Sequence, residues 1–417
     1  MTPNAESWNH GLRIGAKTHV GMVRGNNQDN LAVIPASSRK EWIEKGHLFV
    51  VADGMGAHAA GELASKIAVD RIPLAYRKRA DLAPHEALRY AIESGHSAIF
   101  ERGQSSEEFR GMGTTVSALV LLPQAAFVGH VGDSRVYRLR GGRFEQLTFD
   151  HSLFWEFRAA GQIDDEEVIS YVPKNIITRS LGPKEEVDVD LEGPFPLEVG
   201  DAFLLCSDGL SGFVSDEEMA VLIETLPPEE AVDVLVDMAN LRGGRDNITV
   251  IVVRLGDSTA VEPGEIRVPA APEERRRRVS PLFWGTAGIS LLLGLGGFAS
   301  GFWSVGWCGV LGACVFGLLG FFRAGGSTTV LSGRLGKAPY VRYDDLPYRK
   351  VLQQVADMLR DLRDAAIRQD WPVDWYKFKQ YENHIRAVSD SMPKEAVSTY
   401  ARAIHFLMSQ LSRDSQG

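Results

Sequence analysis

Cysteine is scarce in this 417-residue chain: Cys206, Cys308 and Cys314 are the whole complement. An odd, small number without zinc-knuckle spacing excludes a disulfide framework and a structural zinc site, and the thiols read as reduced. An excess of basic charge is also missing. The net charge of −9 gives no reason to expect a nucleic-acid partner, because a phosphate backbone demands a basic face. No glycine-rich loop ends in Gly-Lys-Ser/Thr, so P-loop nucleotide chemistry is excluded. Residues 1–20 lack the long apolar stretch of a secretory signal, and the first domain is expected to stay on the side where it is made. One further absence is local. From Pro281 to Phe322 there is no charged side chain.

What is present is the composition of a globular protein, 44% hydrophobic and 24% charged, long enough for two or three units. Residues 10–256 read as one mixed unit. Apolar runs of strand length recur at Leu48–Ala52, Thr115–Leu122, Ala125–Val131, Ala202–Cys206 and Ile248–Leu255, bounded by Gly, Asp or Pro. Arg135–Leu147 alternates around Gly141-Gly142, a hairpin signal. Helical patterns occupy Ala59–Ile72, Pro84–Arg102, His151–Ala160, Asp216–Glu224 and Pro228–Leu241. Directly joined strand pairs with helix pairs elsewhere favour packed sheets under helices over a doubly wound parallel sheet.

Residues 257–280 carry Pro263, Pro269 and Pro272 and the run Arg275-Arg276-Arg277-Arg278, a linker with a basic end. The uncharged stretch that follows is about twice the roughly 20 residues one membrane span needs. A two-span transmembrane hairpin over 281–323 is therefore expected, turning near Ser300–Ser304. Small residues at spacing four (Gly309, Ala313, Gly317) permit close helix approach in lipid. Arg275–Arg278 before it and Arg323, Arg334 and Lys337 after it place both flanks in the cytosol. Residues 344–412 show helical stripes, among them Leu352, Val355, Leu359, Leu362 and Ala366. They read as a small all-α domain, a three-helix bundle or a docking face.

Four aspartates stand at strand ends: Asp53, Asp133, Asp208 and Asp246. One such residue is ordinary turn chemistry; four in strands that share a sheet edge are not. Two carboxylates about 4–5 Å apart repel by roughly 3–4 kcal/mol at an effective dielectric near 20, so a converging set must take up protons or a cation. Oxygen-only ligands select Mg²⁺ or Mn²⁺ over Zn²⁺. Gly54 leaves room where a carbonyl or water approaches such an ion. Arg24, five residues before Asp29, adds a guanidinium able to grip two phosphoryl oxygens.

The segments Arg24–Asn30, Ala52–Gly56, His58–Glu62, Gly111–Thr115, His130–Arg135, Leu147–His151, Ser207–Leu210 and Arg245–Thr249 resemble, in order and spacing over about residues 10–256, the metal-dependent (PPM, type 2C) serine/threonine protein phosphatases in their bacterial form. The resemblance implies an α+β fold, a central antiparallel β-sandwich flanked by helix pairs (α/β/β/α), with a binuclear Mg²⁺/Mn²⁺ centre at one edge. It implies that Asp53 bridges two ions, that the Gly54 carbonyl binds one, that Asp208 and Asp246 hold the other, and that Asp133 serves a weaker third. Arg24 corresponds to the phosphate-gripping arginine and Asp29 to an acidic residue supporting the cluster. About 154–184 corresponds to a variable flap. The implied partners are phosphorylated proteins, a serine/threonine kinase among them, met at the cytosolic face of a membrane whose lipid holds the hairpin.

Two positions depart from the pattern. Gln28 replaces a frequent Glu, and Met55 stands where animal members carry a His proposed as general acid. Cysteine-based phosphate hydrolysis fails as a rival. It needs an arginine six positions after the nucleophile, where Gly212, Cys314 and Gly320 stand. A catalytically inactive scaffold of the same fold, or a membrane-tethered adaptor acting through residues 344–417, are the alternatives.

Overall fold

A computed structural model describes residues 11–56, 59–161, 176–256, 334–388 and 391–414. The chain divides into two compact units, residues 1–264 with 335–417, and residues 265–334. Of the second unit only Arg334 is described, so the expected hairpin over 281–323 lies outside the described residues, as does the linker 257–280. Among the described residues no helix is long and apolar enough to cross a membrane.

The strands are, in chain order, β1 (Leu12–His19), β2 (Asp29–Ile34), β3 (His47–Met55), β4 (Gly113–Thr114), β5 (Val116–Leu121), β6 (Ala125–Val131), β7 (Arg135–Arg140), β8 (Arg143–Gln146), β9 (Asp190–Pro196), β10 (Ala202–Cys206), β11 (Ile248–Leu255) and β12 (Val341–Tyr343). The helices are α1 (Arg39–Lys45), α2 (Ala60–Lys78), α3 (Pro84–Gln104), α4 (Leu153–Ala159), α5 (Asp208–Ser211), α6 (Asp216–Thr225), α7 (Pro228–Leu241), α8 (Tyr348–Arg368), α9 (Trp375–Val388) and α10 (Pro393–Asp414). One sheet runs β1-β11-β10-β7-β8-β12 and the other β2-β3-β5-β6-β9, with β4 against β3. Every named pairing is antiparallel. The β7–β8 turn places Gly141 at φ 55° and Gly142 at φ 80°, the two positive values a type I′ hairpin requires.

The central strands read as continuous apolar runs because both faces are buried. Along β3, Phe49 and Val51 pack between the sheets with Leu119, Val128, Phe203, Leu205 and Ile251. Their neighbours Leu48, Val50 and Ala52 face the other way, under α2 and α3. In β10, Phe203 and Leu205 point inward, while Leu204 and Cys206 join the layer of α6 and α7. Period-two alternation thus sorts each strand into two cores, and the expected α/β/β/α sandwich results.

Residues 344–412 form three helices that pack on one another and also on two helices of the sandwich. Val355, Leu359, Leu362, Val397, Ile404 and Leu407 share one apolar cluster with Ala220, Val221, Leu235 and Ala239 of α6 and α7. Periodicity gives a helix face, not everything that face meets. A strand not foreseen, β12, extends the first sheet by pairing with β8. Glu192 accepts from the Ala338 amide at 2.9 Å and from the Tyr340 hydroxyl at 2.6 Å. Arg402–Glu230 at 2.6 Å and His405–Asp237 at 2.7 Å fix register more than energy, being partly exposed pairs.

Candidate metal centre

Antiparallel pairing brings the C-terminal end of one strand beside the N-terminal start of the next, and the aspartates occupy those meeting ends. Asp29 opens β2 directly opposite Asp53 of β3. Asp208 follows β10 and Asp246 precedes β11, its neighbour. Asp133 lies between β6 and β7, and β7 begins with Arg135 opposite Cys206.

Neighbouring polar groups fix the Asp29 carboxylate and the backbone at and beside Asp53 and Asp133. Ser207 Oγ donates to Asp29 Oδ2 at 2.7 Å, and the Thr249 amide donates to Ser207 Oγ at 3.0 Å. The Asp53 amide donates to Thr115 Oγ1 at 3.0 Å, while the Thr115 amide and the Thr114 hydroxyl both donate to the Asp53 carbonyl at 2.8 Å. His151 clamps Gly132: its Nδ1 accepts from the Gly132 amide at 2.9 Å and its own amide donates to the Gly132 carbonyl at 2.7 Å. Nε2 then carries the ring proton and donates to Asp190 Oδ2 at 3.0 Å. Gly132 itself sits at φ 116°, where a Cβ would stand 2.6 Å from Thr115 Cβ.

Arg24 Nη2 lies 2.9 Å from Asp246 Oδ2, with the Arg24 side chain 52% exposed. Its loop is pinned by the buried Asn247, whose Nδ2 donates to the carbonyls of Val20 at 2.9 Å and Asn26 at 3.0 Å. Asn247 Oδ1 accepts from the Gln28 amide at 2.8 Å. Asn247, Ser207, Thr115 and His151 all fall inside the sequence motifs, yet none announces its role there, because each acts on backbone distant in the chain.

The electrostatics are those of crowded carboxylates. Asp53 is pushed well above the carboxylate range by burial and then by the charges of Asp29, Asp208, Asp133 and Asp246. Asp133 is pushed up to about 8 by burial, then by Asp208 and Asp150. Asp29 rises to about 7, burial outweighing its bonds from Ser207 and Thr249. Asp208 is raised by burial and Asp246, although a hydrogen bond with Asp53 opposes the rise. Two acceptor atoms, Asp29 Oδ1 and Asp133 Oδ1, are buried without a hydrogen-bond partner, and orphaned carboxylate oxygens are what a cation satisfies. The donor set is all oxygen, which fits a hard ion. Among the described residues no three His, Cys, Asp or Glu side chains already enclose a metal position: Asp53 is engaged with Asp208, and Asp246 with Arg24.

Gly54 has a packing reason for lacking a side chain, beside the one its sequence position implied. A Cβ there would lie 2.1 Å from the Gly61 carbonyl oxygen and 2.6 Å from that of Gln28, so the glycine admits the first turn of α2. Gln28 donates from Nε2 to the Gly56 carbonyl at 3.4 Å, a bond a glutamate could not make. The flap expected over 154–184 begins in α4 and returns at Thr178, whose amide donates to the His151 carbonyl at 2.9 Å. Residues 162–175, and with them the flap's centre, lie outside the described residues, as does His58.

The protein phosphatase 2C profile matches residues 24–241. The chain belongs to the protein phosphatase 2C family. It is 37% identical over 253 residues to protein phosphatase PhpP of Streptococcus pneumoniae, a match that covers 60% of this chain and 100% of the relative. Among solved structures it resembles the serine/threonine phosphatase PstP/Ppp of Mycobacterium tuberculosis, at 34% identity and a TM-score of 0.52, covering 59% of this chain and 100% of the other. A catalytic domain of PstP in complex with two manganese ions matches at 34% identity and a TM-score of 0.50, over 59% and 99% of the two chains.

Proposed function

We propose that Asp53, Asp208 and Asp246, supported by Asp29 and the Gly54 carbonyl, hold two Mn²⁺ or Mg²⁺ ions, with Asp133 serving a third, in an active serine/threonine protein phosphatase. The reading rests on one observation: aspartates from five strand ends converge, four of them (Asp29, Asp53, Asp133 and Asp208) with raised pKa values, and two of their oxygens are orphaned. When bound there, hard cations supply Lewis acidity and a water made nucleophilic at neutral pH.

The chain's own groups do the rest. Ser207 and Thr249 orient Asp29 so that one of its oxygens stays free of protein donors. Arg24 stands at the rim, half-exposed and bound by a single nitrogen to Asp246, so its planar fork can take two phosphoryl oxygens of an incoming phosphoserine or phosphothreonine. Met55 has no proton to give, so the leaving serine or threonine oxygen takes its proton from water or from another residue. The inactive-scaffold alternative would be favoured by loss of a core aspartate, and all five are present.

The experiment is hydrolysis of p-nitrophenyl phosphate and a phosphothreonine peptide by the full chain, with and without Mn²⁺. Asp53→Asn and Asp208→Asn should abolish the Mn²⁺-dependent rate. A wild-type rate equal to theirs overturns the reading.

The uncharged run Pro281–Phe322 between basic flanks carries the second half of the proposal, a two-span tether that keeps both the phosphatase unit and residues 344–412 at the cytosolic face. Its substrates are then phosphoproteins of that face, a membrane-associated serine/threonine kinase among them. Alkaline carbonate extraction of membranes should leave the full chain in the pellet and release a variant lacking 281–323. Release of both refutes the tether.

A further inference from the structure

The family profile ends at residue 241, yet β12, well beyond it, reaches the acidic cluster through three side chains. Tyr343 donates its hydroxyl to Asp216 Oδ2 at 3.2 Å. The other oxygen of Asp216 accepts from the Tyr137 hydroxyl at 2.9 Å and lies 3.6 Å from Arg135 Nη1. Arg135 in turn grips Asp150 through Nε at 2.9 Å and Nη2 at 2.8 Å, and its Nη1 donates to the Tyr137 hydroxyl at 2.9 Å.

A second limb starts from the same strand. The Tyr340 amide donates to the Gln146 carbonyl at 2.9 Å, and Val341 pairs with Gln146 in the β8–β12 ladder. Gln146 Nε2 donates to Asp150 Oδ1 at 2.8 Å. Both sides of the Arg135–Asp150 pair therefore end on the C-terminal segment.

Arg135 is well placed to pass this on. It stands two residues after Asp133 and pairs across the sheet with Cys206, two residues before Asp208, and its charge acts on both aspartates. Its side chain is 19% exposed and that of Asp150 5%. One cation serves two carboxylates, Asp150 and Asp216, in a little-hydrated space where losing a partner is strongly felt. The Tyr343 hydroxyl supplies the neutral donor that lets Asp216 share. Without it, Asp216 leans harder on Arg135 and draws the guanidinium away from Asp150, moving the start of β7 beside Asp133 and the end of β10 beside Asp208.

We propose that Tyr343 and Asp216 are positioning residues for the phosphatase reaction, acting through Arg135 on Asp133 and Asp208, so that the C-terminal segment is part of the metal centre's support and a place where that centre can be controlled. This rests on the reading of the aspartates as metal ligands, and the test separates the two.

The test compares Tyr343→Phe, Asp216→Asn, the double variant, Asp208→Asn and Leu407→Ala, all as full chains. Mn²⁺ affinity is measured by calorimetry, and KM and kcat are measured against Mn²⁺ concentration. Tyr343→Phe should weaken Mn²⁺ binding about three- to tenfold and raise the Mn²⁺ needed for half-activation alike, while substrate KM at saturating Mn²⁺ stays within about twofold. The double variant should be no worse than the poorer single. Leu407→Ala, which loosens the same helical layer without touching the relay, should keep wild-type Mn²⁺ affinity. Unchanged affinity in Tyr343→Phe, or an equal loss in Leu407→Ala, overturns the relay. Wild-type binding by Asp208→Asn overturns the metal reading beneath it.

Discussion

Asp29 and Asp53 stand directly opposite each other across the β2–β3 ladder, a cross-strand position where like charges destabilise a sheet. The fold tolerates the pair because one or both stay protonated, or because a cation lies with them. A metal-free protein must therefore respond to pH. Asp29 moves from 3.8 in the unfolded chain to about 7 when folded, and Asp133 from 3.8 to about 8. Between those values the unfolded chain has released protons that the folded chain retains, so stability falls as pH rises from about 4 to about 8, then levels. Thermal melts in chelator should show a higher melting temperature at pH 5 than at pH 8, Asp133→Asn should flatten the difference, and Mn²⁺ at pH 8 should restore the loss.

Arg24 carries a prediction about substrate more than stability. Its side chain is 52% exposed and makes one ion pair, a contact worth little to folding. Replacement by Lys keeps the charge and removes the fork. Arg24→Lys and Arg24→Ala should melt within about 2 °C of wild type, yet both should raise KM for a phosphopeptide, with kcat/KM down roughly 10- to 100-fold. Steady-state kinetics at saturating Mn²⁺ decide it. A lysine variant with wild-type KM would show that two-point gripping is not used.

Asn247 is the unannounced member of the site. Its amide closes three hydrogen bonds to backbone of the 20–28 loop and is 4% exposed. Asn247→Ala leaves two carbonyls and an amide without their partner, and a cost of about 1–3 kcal/mol follows. Because the loop carries Arg24, the same variant should raise KM, and Asn247→Asp should do so as well, since its carboxylate still accepts from the Gln28 amide but cannot donate to the Val20 and Asn26 carbonyls. Denaturant titration and kinetics on the two variants check both halves.

The sandwich and its acidic edge were legible because they are written in contiguous signals. The runs at Ala125–Val131, Ala202–Cys206 and Ile248–Leu255 coincide with β6, β10 and β11. Each is apolar on both faces, so neither register nor partner was needed to see a strand. The edges were not legible. β9, Asp190–Pro196, contains Gly193, Pro194 and Pro196 and reads as a turn, although proline is tolerated where a strand borders solvent. β12 is three residues long and exists only because β8 offers a ladder. Gly54 read as a gap for an ion, and it also admits the backbones of Gly61 and Gln28, a close approach of distant segments that no local pattern encodes.

The merging of the C-terminal helices with α6 and α7 makes a claim about cooperativity. Leu407 of α10 is fully buried in the cluster that holds Leu204 and Val252 of the sheet. Leu407→Ala should cost about 2–5 kcal/mol, the usual range for a buried leucine. If residues 335–411 and the sandwich fold as one unit, that loss appears in a single calorimetric transition, and the temperature at which phosphatase activity is lost falls with it. A free-standing bundle would instead melt early and alone, leaving the activity's thermal limit where it was. Scanning calorimetry beside residual-activity curves separates the cases, with Phe203→Ala between the sheets as the control that must lower both.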